Sequence, residues 1–348
     1  MSKASPPNPT DPINYWLQKR KRNKSQNTFL SNRTALNHFR EFLSEQGLEP
    51  AEVDQYDCLE FIEYIQNKEE INSGASLNAY FSGVNEFYRY FSNRGTFETN
   101  PMAVALEESD PDTDYETHRR KIDLDEMREF FQSIKKPLNL AINTLLAKTG
   151  VRASEAANIN LQDVHLDHPK VRTHLPRPRV EIEDHPDTLF VPKGRSQNKR
   201  EISTMIPIDD ELKQSLVYWL AARTPAPPEI ERNPLFTFTS NKGHDGVVGY
   251  PLTRVGVFYA VKRCSEPFGW YEVGAGRRHN VTPHYYRHWF TTMCSRDNCG
   301  IDADLRNYIR GDKGNESADE YRHEQQQFWE SEVQRPYLNN IWKLFRET

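Results

Sequence analysis

A mainly helical chain with one small antiparallel β-sheet (an α+β fold) is what this sequence predicts, and three observations predict it. Apolar residues recur at three- and four-residue spacing through most of the chain, which is the signature of helices with one buried face. One section, from Thr188 to Ile208, instead carries two short β-type runs joined by a polar loop. A Pro-containing acidic stretch without apolar period separates two folded units, in line with about 100–200 residues per domain for a chain of 348 residues.

Residues 1–25 are rich in Pro and then basic, with Lys19, Arg20, Lys21, Arg22 and Lys24 inside six positions. They read as a basic, flexible N-terminal arm, either simply solvated or in contact with a polyanion. Over 26–103 three stripes follow one another: Phe29, Leu36, Phe39, Phe42 and Leu43, ending at Gly47; Leu59, Ile62 and Ile65; and Leu77 to Phe91, with Gly95 as a stop. Each stripe must be buried on another, so this region predicts a small helical bundle whose aromatic residues form its core. Residues 104–121 hold Glu107, Glu108, Asp110, Asp112, Asp114 and Glu116 around Pro111 and read as a linker kept extended by like charge. The second unit, 122–348, opens with Leu124, Met127, Phe130, Phe131 and Ile134, then an apolar helix from Leu138 to Leu146 closed by Thr149-Gly150. Strands at 188–191 and 202–208 flank the loop Pro192–Glu201, and helices resume from Leu212. The last segment has Trp329, Tyr337, Ile341, Trp342, Leu344 and Phe345; it packs either on its own subunit or, as a tail, on a neighbouring copy.

Composition removes several classes. The mean hydropathy of −0.84 and the lack of a long apolar run argue against a membrane span, and the N-terminus has no apolar segment of the secretory kind. A soluble, cytoplasmic protein is expected. The four cysteines show no close zinc-type spacing and are too few for a disulfide scaffold, so no metal and no cofactor is expected from them. The net charge of −5 (45 Lys+Arg against 50 Asp+Glu) argues mildly against nucleic acid when taken as a mean. Distribution can overrule the mean, however. There is no Walker loop, dinucleotide fingerprint or HExxH helix.

Four clusters carry chemistry. In Thr149-Gly150-Val151-Arg152-Ala153-Ser154-Glu155, Arg152 follows a helix stop and offers a planar fork to an anion, or else pairs locally with Glu155. The loop Pro192–Arg200 holds Lys193, Arg195, Lys199 and Arg200 beside Gly194. It reads as a solvated hairpin tip or as a phosphate-facing one whose lysine can protonate a leaving oxygen. In Thr282-Pro283-His284-Tyr285-Tyr286-Arg287-His288, a helix opened by Pro283 places His284 and Arg287 three apart. Asp319-Glu320-Tyr321-Arg322-His323 sets a phenol among charges. Together, two arginines, a lysine, a histidine and a tyrosine are what attack of a phenolic oxygen on a phosphodiester needs. The arginines neutralise non-bridging oxygens, the lysine or histidine protonates the departing 5′ oxygen, and the tyrosine stores the bond energy.

In these boxes the sequence resembles the tyrosine recombinase (phage integrase) family. The T-G-x-R-x-S-E/D box matches Thr149, Gly150, Arg152, Ser154 and Glu155; the β-hairpin lysine matches Lys193; the H-x-x-R box matches His284 and Arg287, followed by His288. Ile309-Arg310-Gly311-Asp312 falls where an L-G-H segment is expected, and Tyr321, nine residues after Asp312, heads a Y-x-H motif completed by His323. The resemblance implies a helical core-binding domain over 26–103 and a catalytic domain over 122–348 that close as a C-shaped clamp on double-stranded DNA. The arm at 19–24 and Arg195, Lys199 and Arg200 are the expected DNA contacts. It also implies catalysis by Arg152, Lys193, His284, Arg287 and Tyr321, with Glu155 and His288 in support. A four-subunit synapse, a Holliday junction, nucleoid association and accessory DNA-bending proteins complete what it implies. One departure stands out. Asp312 replaces the usual His or Trp, and an ionised carboxylate only accepts hydrogen bonds and repels phosphate. Asp312 is either turned aside, orienting Arg310 or another cation, or Lys313 supplies the missing donor, or the chemistry is weakened. A topoisomerase-like relaxase and a DNA-binding protein that has lost catalysis are the alternative functions.

Overall fold

The computed structural model describes residues 10–68, 74–109 (74 and 75 by backbone only), 119–173, 175–240, 247–273, 275, 279–295, 300–312 and 329–345. The chain divides into two units, Met1–Glu116 and Thr117–Thr348.

The first unit is helical: α1 (Pro12–Asn23), α2 (Gln26–Gln46), α3 (Gln55–Gln66), α4 (Gly74–Ser92) and α5 (Pro101–Ser109). The basic part of the expected arm therefore lies on an ordered helix, Pro12–Asn23. Asp11 caps α1 by accepting from the Asn14 N–H at 2.8 Å, and Pro12 sits at its first position, where no N–H is needed. Helix α1 is retained because Ile13, Trp16 and Leu17 are buried, so its one apolar face overrides the polar, basic majority. Residue 47 ends α2 in the left-handed region (φ 68°), where glycine is the unstrained choice. Asp54 and Asp57 form a capping box at the start of α3. The aromatic stripe of α4 is core: Phe81, Phe87, Tyr88 and Phe91 are buried, and Phe39 meets Phe61 edge-on at 4.9 Å. The acidic stretch also begins later than expected, since α5 reaches Ser109 and buries Met102 and Ala105.

The second unit is built on α7 (Pro137–Thr149), which follows α6 (Leu124–Ser133) and is buried on nearly every side. Gly150 ends α7 at φ 60°, and a Cβ there would stand 2.9 Å from the Phe290 ring, so both dihedral and space demand glycine. After α8 (Ala153–Asn158), strands β1 (Val164–His165), β2 (Thr188–Val191) and β3 (Thr204–Pro207) form an antiparallel sheet in that order. Leu189 pairs with both Val164 and Ile206. Strand β1 carries only two residues, too short for a periodic signal, and β3 is shorter than expected. Helices α9 (Asp210–Ala222), α10 (Arg254–Ser265), α11 (Pro283–Cys294) and α12 (Ala303–Arg310) follow, then a π-type turn over Trp329–Gln334 and α13 (Arg335–Asn340).

The C-terminal segment packs on its own subunit. The Tyr337 hydroxyl donates to the Lys148 carbonyl at 2.8 Å, and Trp342 stands edge-on to Trp289 at 5.2 Å. Beneath it, the fully buried Lys148 ammonium lies 2.7 Å from Asp209 and 2.6 Å from Glu211, and Glu211 in turn accepts from the Leu344 N–H. Cys58 and Cys264 are free thiols and Cys294 is buried; Cys299 lies outside the described residues. Among the described residues no helix is long and apolar enough to cross a membrane.

Candidate active site

Two helix boundaries and one buried helix face build the site. Arg152 stands at the N-cap of α8, just beyond the Gly150 reversal, where its backbone N–H donates to Glu155 at 2.9 Å. Its guanidinium donates to Glu155 at 3.1 Å and also to Asp312 Oδ1 at 3.0 Å. The local pairing and the longer-range one thus coexist. Arg287 projects from α11 with a buried side chain, donating to the carbonyls of Gly150 (2.8 Å) and Arg310 (3.1 Å) and to Asp312 Oδ1 at 2.5 Å. Burial pushes the Arg287 pKa down to about 10, Arg152 adding to this and Asp312 opposing it, so the group stays charged at neutral pH. Arg310, the last residue of α12, pairs with Asp312 Oδ2 at 3.0 Å. Gly311, at φ 66°, turns the chain back so that the Asp312 N–H donates to the Asn307 carbonyl and the carboxylate faces Arg310 two residues earlier.

Three guanidinium groups therefore converge on one carboxylate. The sequence places Asp312 in conflict with a phosphate; the structure sets it on the two arginines expected to meet that phosphate, Arg152 and Arg287, and on Arg310. Arg310 was not singled out as a site residue, and its one sequence signal is its place two positions before Asp312 across a glycine stop.

Behind this cluster lies Arg200. It was expected at the DNA surface, but it is buried. Its guanidinium is 3.6 Å from Glu155, donates to the Ile309 carbonyl at 3.0 Å and bonds the Thr204 hydroxyl. The adjacent Glu201 N–H donates to the Gly311 carbonyl at 2.9 Å. The physical reason for the correction is Glu155, itself fully buried, which needs cationic partners on both sides. Arg195 is likewise engaged, forking onto the buried Asp163 at 2.5 and 3.0 Å. Lys193 and Lys199 are exposed on the same loop. Among the described residues, a Cβ at Gly194 would meet no atom within 4 Å.

His284 is exposed on α11 while the Arg287 side chain is buried. The His284 and His288 Nε2 atoms lie 2.9 Å apart. Burial, reinforced by Arg119 and His284, lowers His288 to about 4, leaving it neutral at pH 7. Tyr321 and His323, like Lys313, lie outside the described residues. In the first unit, Lys19 donates to the Tyr90 hydroxyl at 3.0 Å and Arg20 pairs with Glu86 above the Trp16 ring, whereas Lys21, Arg22 and Lys24 are exposed.

Comparison with known proteins gives this arrangement a setting. The phage integrase SAM-like domain matches residues 10–108, and the phage integrase family matches residues 120–327. The tyrosine recombinase XerC of Roseiflexus sp. (strain RS-1) is 25% identical over 296 residues, 82% of this chain and 79% of that protein. XerC of Staphylococcus saprophyticus is 25% identical over 281 residues, 77% of each. The TnP I resolvase of Bacillus thuringiensis is 31% identical over 113 residues, but these are only 32% of this chain and 39% of the resolvase. Among solved structures, the Tn1549 transposon integrase in complex with transposon right end DNA has a TM-score of 0.65 at 18% identity, over 93% of this chain and 98% of that one. A lambda integrase dimer bound to a COC′ core site has a TM-score of 0.60 at 15% identity, over 90% and 76%. These two likenesses bear on the fold, and the family match spans more than half of the chain. This protein belongs to the phage integrase family, the DNA-breaking and rejoining tyrosine recombinases.

Proposed function

We propose that the chain is a site-specific DNA recombinase or integrase whose nucleophile is Tyr321. The observation that supports this most is the convergence of Arg152 and Arg287, far apart in sequence, on a single anionic oxygen at 3.0 and 2.5 Å. A structural ion pair needs one cation; two guanidinium forks on one oxygen form a receptor for a group with clustered negative oxygens.

In this reading the scissile phosphate binds where Arg152 and Arg287 can meet its non-bridging oxygens, which gain charge in the pentacoordinate transition state. The Tyr321 phenolate oxygen forms a bond to phosphorus as the bond to the 5′ oxygen breaks, and that oxygen takes a proton from Lys193 or His284. The product is a 3′-phosphotyrosyl link and a free 5′-OH. Attack by the 5′-OH of a partner strand reverses the step and releases Tyr321, giving a Holliday junction when the strands are exchanged. Exposed Lys21, Arg22, Lys24, Lys193 and Lys199 are the candidate phosphate contacts along double-stranded DNA. Self-association into a tetramer on DNA and help from DNA-bending proteins belong to the same proposal, as does a nucleoid location. A lambda integrase tetramer bound to a Holliday junction is among the structural neighbours (TM-score 0.57, 15% identity), which supports that assembly as the one to test.

A second reading has one observation in its favour: a resident carboxylate already fills the arginine pocket, as in a DNA-binding protein that has lost catalysis. A nicked suicide duplex carrying the recognition site separates the two. The wild type is expected to form an SDS-resistant DNA adduct and Tyr321→Phe none. Site-specific binding without an adduct at any salt concentration supports the second reading, and an adduct that survives in Tyr321→Phe removes the nucleophile assignment.

A further inference from the structure

We propose that Asp312 is a built-in placeholder for the scissile phosphate, and that Arg310 is a third phosphate-binding arginine which passes from Asp312 to the phosphate when DNA arrives. The inference rests on the recombinase reading and adds to it a residue that the family pattern does not assign.

Three features carry it. The first is stoichiometry: Arg152 and Arg287 donate to one oxygen of the Asp312 carboxylate at 3.0 and 2.5 Å, and Arg310 pairs with the other at 3.0 Å. A carboxylate and a phosphodiester each bear one negative charge and offer paired terminal oxygens to a guanidinium fork, so one can replace the other without changing the charge of the pocket. Asp312 and Glu155 together bring two negative charges against Arg152, Arg287, Arg310 and the buried Arg200, so the cluster keeps a net positive charge that favours an incoming anion.

The second is access and fixation. Arg287 is locked by the Gly150 and Arg310 carbonyls, and its side chain is 5% exposed. Asp312, at 27%, reaches solvent. The innermost cation of the pocket is therefore fixed from two sides, while its occupant reaches solvent. Asp312 also follows Gly311 and belongs to no helix or strand, so a rotation about its own side chain empties the pocket.

The third is the unsatisfied donor. Among the described residues the buried Arg310 Nε–H has no hydrogen-bond partner, although the same guanidinium is held on its other side by Asp312. A buried donor left unpaired is costly, and a tetrahedral anion with oxygens spread in three dimensions can reach donors that a planar carboxylate cannot. Arg310 thereby supplies the hydrogen bond that an ionised Asp312 cannot give, and Asp312 is its positioning residue.

The test is calorimetric titration of the full-length protein with tungstate, a tetrahedral anion, without DNA. Asp312→Asn keeps the shape and removes the competing charge; it is expected to bind tungstate at least tenfold more tightly than the wild type. Arg310→Ala in the Asp312→Asn background is expected to erase the gain, and Arg310→Lys to restore part of it. Asp312→Asn binding no more tightly than wild type overturns the placeholder, and a gain that persists in Asp312→Asn/Arg310→Ala overturns the role of Arg310. If Asp312→Asn does not fold, Arg310→Ala alone decides. Its adduct formation on the nicked duplex is expected to fall about 10²-fold, with partial rescue by Arg310→Lys. A wild-type rate in Arg310→Ala overturns the proposal. The titration uses neither DNA nor strand cleavage. A failure of the recombinase reading therefore appears in the adduct assay and not in the titration.

Discussion

Arg195 and Arg200 sit in a loop whose composition reads as a cationic tip, yet one forks onto Asp163 and the other is buried behind Glu155. Their acidic partners lie over thirty positions away in sequence, beyond the reach of local spacing rules. By contrast, the Arg152–Glu155 pair was legible because it is local, and the same arginine's bond to Asp312 was not. Glu155 makes the consequence testable. It is fully buried between Arg152 and Arg200, so Glu155→Ala leaves buried cationic charge without its carboxylate and should cost about 3–5 kcal/mol of unfolding free energy, measured by urea denaturation. His288 offers a pH signature. Its pKa falls from the ordinary value near 6.5 to about 4 on folding, so the unfolded chain takes up the proton first as pH drops. The stabilisation of the neutral ring is full above about 6.5 and is lost as pH falls towards 4. Urea midpoints in that window should decline in the wild type more than in His288→Gln; identical profiles would contradict the assignment.

Helices with a clear stripe and a glycine stop were readable at the scale of elements: α2 ends at Gly47, α7 at Gly150, and α11 begins at Pro283. Helix α1 was hidden because only Ile13, Trp16 and Leu17 anchor it, and its many cations mask so short a stripe. Strand β1 was hidden because two residues have no period. The turn after α12 joins elements that no local rule connects. A Cβ at Gly311 would collide with the Arg200 side chain, and its φ of 66° strains any L residue. Gly311→Ala is therefore expected to destabilise the protein by at least 1 kcal/mol. A variant as stable as wild type would show that the turn tolerates the side chain.

For the whole molecule, the mean charge of −5 is a poor guide to partners. Acids are concentrated in 107–116 and in pairs that neutralise buried arginines, while Lys21, Arg22, Lys24, Lys193 and Lys199 remain exposed. Duplex affinity should fall steeply with salt, and the triple variant Lys21→Ala/Arg22→Ala/Lys24→Ala should flatten the log–log slope by about 1–3 units, near 0.9 for each lost phosphate contact. An unchanged slope would remove α1 from the interface. The central claim, that this molecule cleaves DNA through a phenolic ester at Tyr321, is tested most directly by mass spectrometry of the trapped adduct after digestion. The account predicts a single nucleotide-bearing peptide with the phosphate on Tyr321. A nucleotide on any other residue, or its absence from a protein that binds its site, would contradict it.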